Sequence, residues 1–95
     1  MNYLVIGRDG KDAAERRQVQ RQAHLESVGK MKAEGKVLYA VAMLNQGKMV
    51  GSVMVFDFSS AEELEAWKSS EPYITGGVWE DVEITECAIP PSFQN

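Results

Sequence analysis

The chain has 95 residues, 44% of them hydrophobic and 25% charged, with a net charge of −4. This is one domain (1–95) with an ordinary globular balance, which excludes a disordered chain. An acidic chain without Lys/Arg clusters among aromatics argues against a nucleic-acid partner. A single cysteine forbids an internal disulfide and fits a reducing cytoplasm, and one cysteine with one histidine cannot build a sulfur- or imidazole-rich zinc site.

The opening Met1-Asn2-Tyr3-Leu4-Val5-Ile6 is too short for a signal peptide, and no run approaches the ~20 apolar residues of a membrane helix. Tyr3 to Gly7 reads as a first strand, closed by Gly7-Arg8-Asp9-Gly10. Asp12, with Glu15 three residues on, predicts a capping box for a helix over Ala13–Glu34, and Gly35 suits its left-handed end. Val37–Leu44 and Met49–Phe58 are two strands joined by the turn Asn45-Gln46-Gly47-Lys48. Ser60 with Glu63 predicts a second capping box, opening a short helix that carries Leu64 and Trp67 on one side and stops at Pro72. Thr75-Gly76-Gly77 reads as a loop and Val82–Ala88 as the last strand.

The order βαββαβ predicts a ferredoxin-like α+β fold: a four-stranded antiparallel sheet with both helices on one face. The second strand is apolar on both sides, with Val37, Tyr39, Val41 and Met43 on one and Leu38, Ala40, Ala42 and Leu44 on the other. Helices cover only one of them, so the other predicts a homodimer, with the tail Ile89-Pro90-Pro91-Ser92-Phe93 as an added anchor.

The least ordinary feature is the face of the first helix. Leu25, Val28 and Met31 form an apolar stripe, and the same stripe continued toward the N-terminus meets His24, Arg21 and Arg17. A helix that only packs would carry leucines there. Glu71, at the negative end of the short helix, gains nothing from the dipole, and its simplest placement is in solvent. Tyr73 reads as a packed lid. Trp67 and Trp79 read as packing residues, with Trp79 at a pocket mouth, Cys87 as a buried small hydrophobe, and Met31, Met43, Met49 and Met54 as core or dimer filler.

Taken in order, Arg21-Gln22-Ala23-His24-Leu25, Gly35, Gly51-Ser52, Glu71-Pro72-Tyr73, Gly77 and Val78 resemble the YciI-like (YCII-related) family. The resemblance runs from Tyr3 to Ile84. It implies a dimeric α+β barrel similar to muconolactone isomerase, and a pocket holding a histidine–aspartate pair. One branch of the family acts as a dehydrochlorinase on a chlorinated hydroxyhydroquinone. By this resemblance His24 is the family histidine, Arg21 matches the arginine one turn before it, and Glu71 stands where relatives carry aspartate. The glutamate reaches farther by one methylene, ~1.5 Å. Tyr39-Ala40-Val41-Ala42 replaces an Ala-Gly-Pro common among relatives, which alters the expected pocket wall.

A histidine held by a carboxylate is a base near neutral pH, and a nearby arginine can hold an anion. The resulting reading is cofactor-independent proton transfer: isomerisation, elimination or dehydrochlorination of a small anionic or phenolic molecule. His24 and Glu71 are the candidate catalytic pair, and Arg21, Arg17 and Tyr73 the candidate binding residues. Two alternatives stay open. One is a module that binds or senses a small anion without reaction. The other is a structural dimerisation domain, in which the arginines pair with Glu15, Glu71 or Asp81.

Overall fold

Strand β1 (Asn2–Asp9) alternates buried Tyr3, Val5 and Gly7 with half-buried Leu4 and Ile6, which gives the sheet one sealed face and one open face. The structure, a computed structural model, describes residues 1–94. After β1 come α1 (Ala14–Ala33), β2 (Val37–Asn45), β3 (Lys48–Asp57), α2 (Ala61–Ser70), α3 (Pro72–Thr75) and β4 (Trp79–Cys87). A 3-10 turn at Pro91–Phe93 follows β4.

The four strands form one antiparallel sheet in the order β2-β3-β1-β4, as the βαββαβ pattern predicts. Gln46 and Gly47 both take positive φ, 52° and 79°, the two-residue geometry that matches strand twist and closes the β2–β3 hairpin. The core lies between the sealed face and the helices. Phe56 stacks on Phe58 at 4.8 Å and meets Trp67 of α2 at 4.6 Å, and Leu64 is buried one turn earlier. Ser60 caps α2 by accepting from the Glu63 N–H at 3.2 Å. The Glu63 carboxylate reaches Ser59 rather than Ser60, and that backbone N–H, followed by Lys36, holds its pKa below the usual carboxylate value.

Several local expectations give way to the structure. Asp12 does not cap α1: its φ is 56°, and Ala13, with no side-chain acceptor, is the N-cap. Arg16 ties down this entry instead, donating to the carbonyls of Lys11, Asp12 and Gly77 at 2.9–3.2 Å. Strand β4 begins at Trp79, three residues before the predicted start, because β1 pairs with it through a bulge at Asp9. A second bulge places Leu38 between paired residues, so Val37 shares the sealed face with Ala40 and Ala42, and the predicted alternation breaks. Cys87 is half-buried rather than buried. Among the methionines Met54 is core, whereas Met49 is half-exposed.

The pairing register puts Leu4, Ile6, Tyr39, Val41, Met43, Val53 and Val55 together on the open face. Tyr39 is 69% exposed and Val41 46%. At its β4 edge Arg8 pairs with Asp81 and Glu83 at 3.2 and 3.3 Å. No helix among the described residues is long and apolar enough to cross a membrane.

Candidate active site

His24 is the only buried residue of α1. The stripe beside it is less covered than its pattern predicts, with Leu25 half-exposed and Val28 and Met31 half-buried. The reason is a cleft of about 190 Å³ between α1 and strands β2 and β3. Leu25 and Val28 form part of its wall, together with Ala40, Val41, Ala42, Met49 and Met54. The Tyr39-Ala40-Val41-Ala42 segment thus does shape the pocket. The polar lining is Arg17, Arg21, His24, Ser52 and Tyr73.

Glu71 is fully buried, which corrects its expected placement in solvent. The physical reason is α3. Pro72 not only ends α2 but starts a new four-residue turn, for which proline is suited at the first position. Glu71 is therefore the N-cap of α3 as well as the C-cap of α2, and its Oε1 accepts from the Tyr73 N–H at 3.1 Å. At a helix start a carboxylate is favoured. The same oxygen is in hydrogen-bond contact with His24 Nδ1. Glu71 Oε2 has no partner among the described residues, nor do the buried indole nitrogens of Trp67 and Trp79.

Aromatic packing fixes the imidazole. Tyr73 stacks on His24 with centroids 3.8 Å apart and planes 9° from parallel. Trp79 meets both rings edge-on, at 6.0 and 5.6 Å. It lies buried behind the histidine rather than at the pocket mouth. Tyr73 is packed as predicted, at 2% exposure. Burial pushes its phenol above the ordinary value despite the opposing pull of Arg17 and Arg21, so it stays a neutral hydroxyl near pH 7.

The two arginines differ. Arg17 is bidentate to Asp9, with Nε and Nη2 at 3.0 and 2.9 Å from its two carboxylate oxygens, and both side chains are nearly buried. Its guanidinium also lies 4.8 Å from the Tyr73 ring centroid. Burial works against its charge, but Asp9 and Tyr73 together hold its pKa above the ordinary value. The expected partners Glu15, Glu71 and Asp81 are not used: Asp81 belongs to Arg8 and Glu71 to His24. Arg21 is exposed at the cleft, and no hydrogen bond or ion pair ties it to the described residues. Its charge is available to a ligand and that of Arg17 is already compensated.

Sequence reasoning missed Asp9 and gave Ser52 no part in the site. Asp9 gives no periodic signal, because a bulge turns it out of the β1 alternation. Ser52 was legible in principle, since it shares the even positions of buried Met54 and Phe56. Among the described residues no three His, Cys, Asp or Glu side chains cluster as they would to hold a metal ion.

The fold and cleft define a class: a ferredoxin-like α+β domain with a helix-borne histidine, contacted by a buried carboxylate, beside a small cleft that is apolar on one side and cationic on the other. The model of the YCII-related domain matches residues 1–88, so the chain belongs to the YciI-like family. It is 31% identical over 91 residues to protein YciI of Escherichia coli O6:H1, covering 88% of this chain and 93% of that one. It is 25% identical over 89 residues to an uncharacterized protein of Haemophilus influenzae, covering 86% and 91%. In fold it is similar to 5-chloro-2-hydroxyhydroquinone dehydrochlorinase from Burkholderia phenoliruptrix, solved with 2,5-dihydroxybenzoquinone. The TM-score is 0.85 at 19% identity, covering 97% of this chain and 98% of that one. An antibiotic biosynthesis monooxygenase gives a TM-score of 0.57 at 16% identity, over 95% and 100% of the two chains.

Proposed function

We propose that the cleft abstracts a proton from a small anionic or phenolic molecule, with His24 as base, Glu71 as its orienting carboxylate and Arg21 as the anion-holding cation. The observation that carries this reading is the contact between His24 Nδ1 and a fully buried glutamate. The Glu71 carboxylate accepts a hydrogen bond from Nδ1–H, leaving Nε2 as the basic nitrogen, and then stabilises the imidazolium that forms. The unpaired guanidinium of Arg21 supports the charge of the substrate or of an enolate-like intermediate. Arg17, neutralised by Asp9, steadies Tyr73 and through it the ring of His24. The fold neighbour's reaction, elimination of chloride from a hydroxylated ring, belongs to this class of proton transfer.

The test is chloride release from 5-chloro-2-hydroxyhydroquinone, with calorimetric binding of 2,5-dihydroxybenzoquinone alongside it. Turnover is expected to fall at least 100-fold in His24→Ala with the fold retained, the lower bound of a general base's usual contribution of about 10²–10⁴. Equal turnover in His24→Ala would overturn the assignment. Binding without turnover would favour a second reading, anion binding or sensing, for which the uncompensated Arg21 is sufficient.

The open sheet face supports a homodimer. Its seven apolar side chains form a continuous patch, of the kind that soluble monomers seldom leave in water. A second copy laid on it by two-fold symmetry closes the barrel-like arrangement known for such sheets. Val53→Asp places a charge at the centre of the patch and is expected to give monomers in sedimentation velocity. A wild-type protein that sediments as a monomer at micromolar concentration would reject the dimer.

A further inference from the structure

Ser52 is the one polar side chain of β3 on the sealed face, in sequence with Met54 and Phe56, and it is only 8% exposed. Its cross-strand partners are Ala42 on β2 and Gly7 on β1. Such small neighbours leave space beside the hydroxyl, and Ser52 lines the same cleft as Arg21, His24 and Tyr73. No hydrogen bond engages the hydroxyl among the described residues, and it is not one of the fully buried orphan atoms, so it keeps surface toward the cleft. A residue needed only for packing would be alanine, as Ala40 and Ala42 are beside it. The hydroxyl is also unbonded to His24, so the imidazole does not hold it as a nucleophile.

A cleft of about 190 Å³ is below the ~300–1,000 Å³ of pockets for drug-sized ligands, and it suits one six-membered ring with a few substituents. Arg21 supplies a cation at the cleft, and the apolar residues Val28, Ala42 and Met54 flank the ring space. Ser52 adds a hydroxyl that can donate to or accept from a second oxygen on the ring. We propose that Ser52 is the specificity-determining residue of the cleft, selecting single-ring anions that carry an oxygen substituent besides the charged group. This rests on the reading of the cleft as a site for small anionic or phenolic molecules.

The selection follows from the cost of leaving a buried polar group unmatched. A ligand with no oxygen to offer Ser52 strips water from the hydroxyl and returns nothing, whereas an oxygenated ring replaces the lost bond. Charge recognition at Arg21 serves both ligands, and Ser52 adds the contact that separates them.

Calorimetry with two probes of equal charge tests this: 3-hydroxybenzoate, with a carboxylate and one ring oxygen, and benzoate, with the same carboxylate and no ring oxygen. Wild-type protein is expected to bind the first about tenfold or more tightly than the second. Ser52→Ala is expected to erase that preference, chiefly by raising benzoate affinity now that no hydroxyl is left unmatched, with Tm unchanged, and Ser52→Thr, which keeps the hydroxyl, is expected to retain it. Full preference in Ser52→Ala, or equal binding of the two probes by the wild type, would overturn the proposal. A wild type that binds neither probe would overturn the anion-site reading, and this proposal with it. The first two failures spare that reading, so the cases are distinguishable.

Discussion

Glu71→Gln is expected to lower kcat for chloride release by about 10²–10⁴-fold, with little change in KM and no loss of fold. The substitution isolates charge from shape. The amide oxygen can still accept from the Tyr73 N–H, which the carboxylate meets at 3.1 Å. The new amide nitrogen takes the place of Oε2, an atom that already lacks a partner, so no existing hydrogen bond is sacrificed. What disappears is the negative charge beside the imidazole. Opposite unit charges 4 Å apart at an effective dielectric of 20 attract by about 4 kcal/mol, and that attraction exists only once His24 has taken a proton. Removing it therefore raises the barrier rather than weakening the ground state, and about 4 kcal/mol corresponds to roughly 10³ in rate. Glu71→Asp withdraws the carboxylate by one methylene, ~1.5 Å, and is expected to lose rate as well. A single histidine makes nitrogen-15 NMR unambiguous: wild type should show Nδ1 protonated, and wild-type kcat in Glu71→Gln would remove Glu71 from the mechanism.

The parts of this site that were legible are those encoded in local periodicity. His24, Arg21 and Arg17 share one helical face because their spacings are three and four residues, and the structure sets all three on the cleft. The element order followed from strand-like runs, two glycine-bounded turns and Ser60 with Glu63. Glu71 was misplaced because Pro72 has two meanings. It ends one helix and starts another, and a four-residue turn is too short to show a period. Asp12 failed as a cap for a related reason: the side chain that secures the start of α1 is Arg16, through carbonyls brought close only by the folded loops. The Arg17–Asp9 pair and the bulge at Leu38 arise from strand register, which one chain segment does not reveal. The face that carries the site was thus readable; Glu71 was named through the family resemblance rather than from its position, and Asp9 was not found.

Gly7→Val is expected to destabilise the protein by about 3 kcal/mol or more, the upper end of the cost of overpacking a core. Gly7 sits in the middle of β1, where glycine normally weakens a strand, so its presence needs a reason. The reason is Trp79: a Cβ at position 7 would overlap the face of the indole ring, which rests directly on the strand backbone. The indole has nowhere to retreat, because its other contacts are the edge-on packing with His24 and Tyr73 and the neighbouring Trp67 ring at 6.5 Å. The absence of a side chain at position 7 therefore sets the depth of Trp79, and Trp79 in turn sets the imidazole against Tyr73. A substitution one layer below the cleft should be felt in it. Urea unfolding measures the stability change, and the His24 ring signals report the displacement. The cause can be separated from intrinsic strand effects by a cycle with Gly7→Ala, Trp79→Ala and the double variant. If the ring overlap dominates, Gly7→Ala is strongly destabilising alone and nearly neutral once Trp79 is alanine. Equal costs in both backgrounds would show that the glycine serves something other than the tryptophan, and the link from strand β1 to the histidine would have to be abandoned.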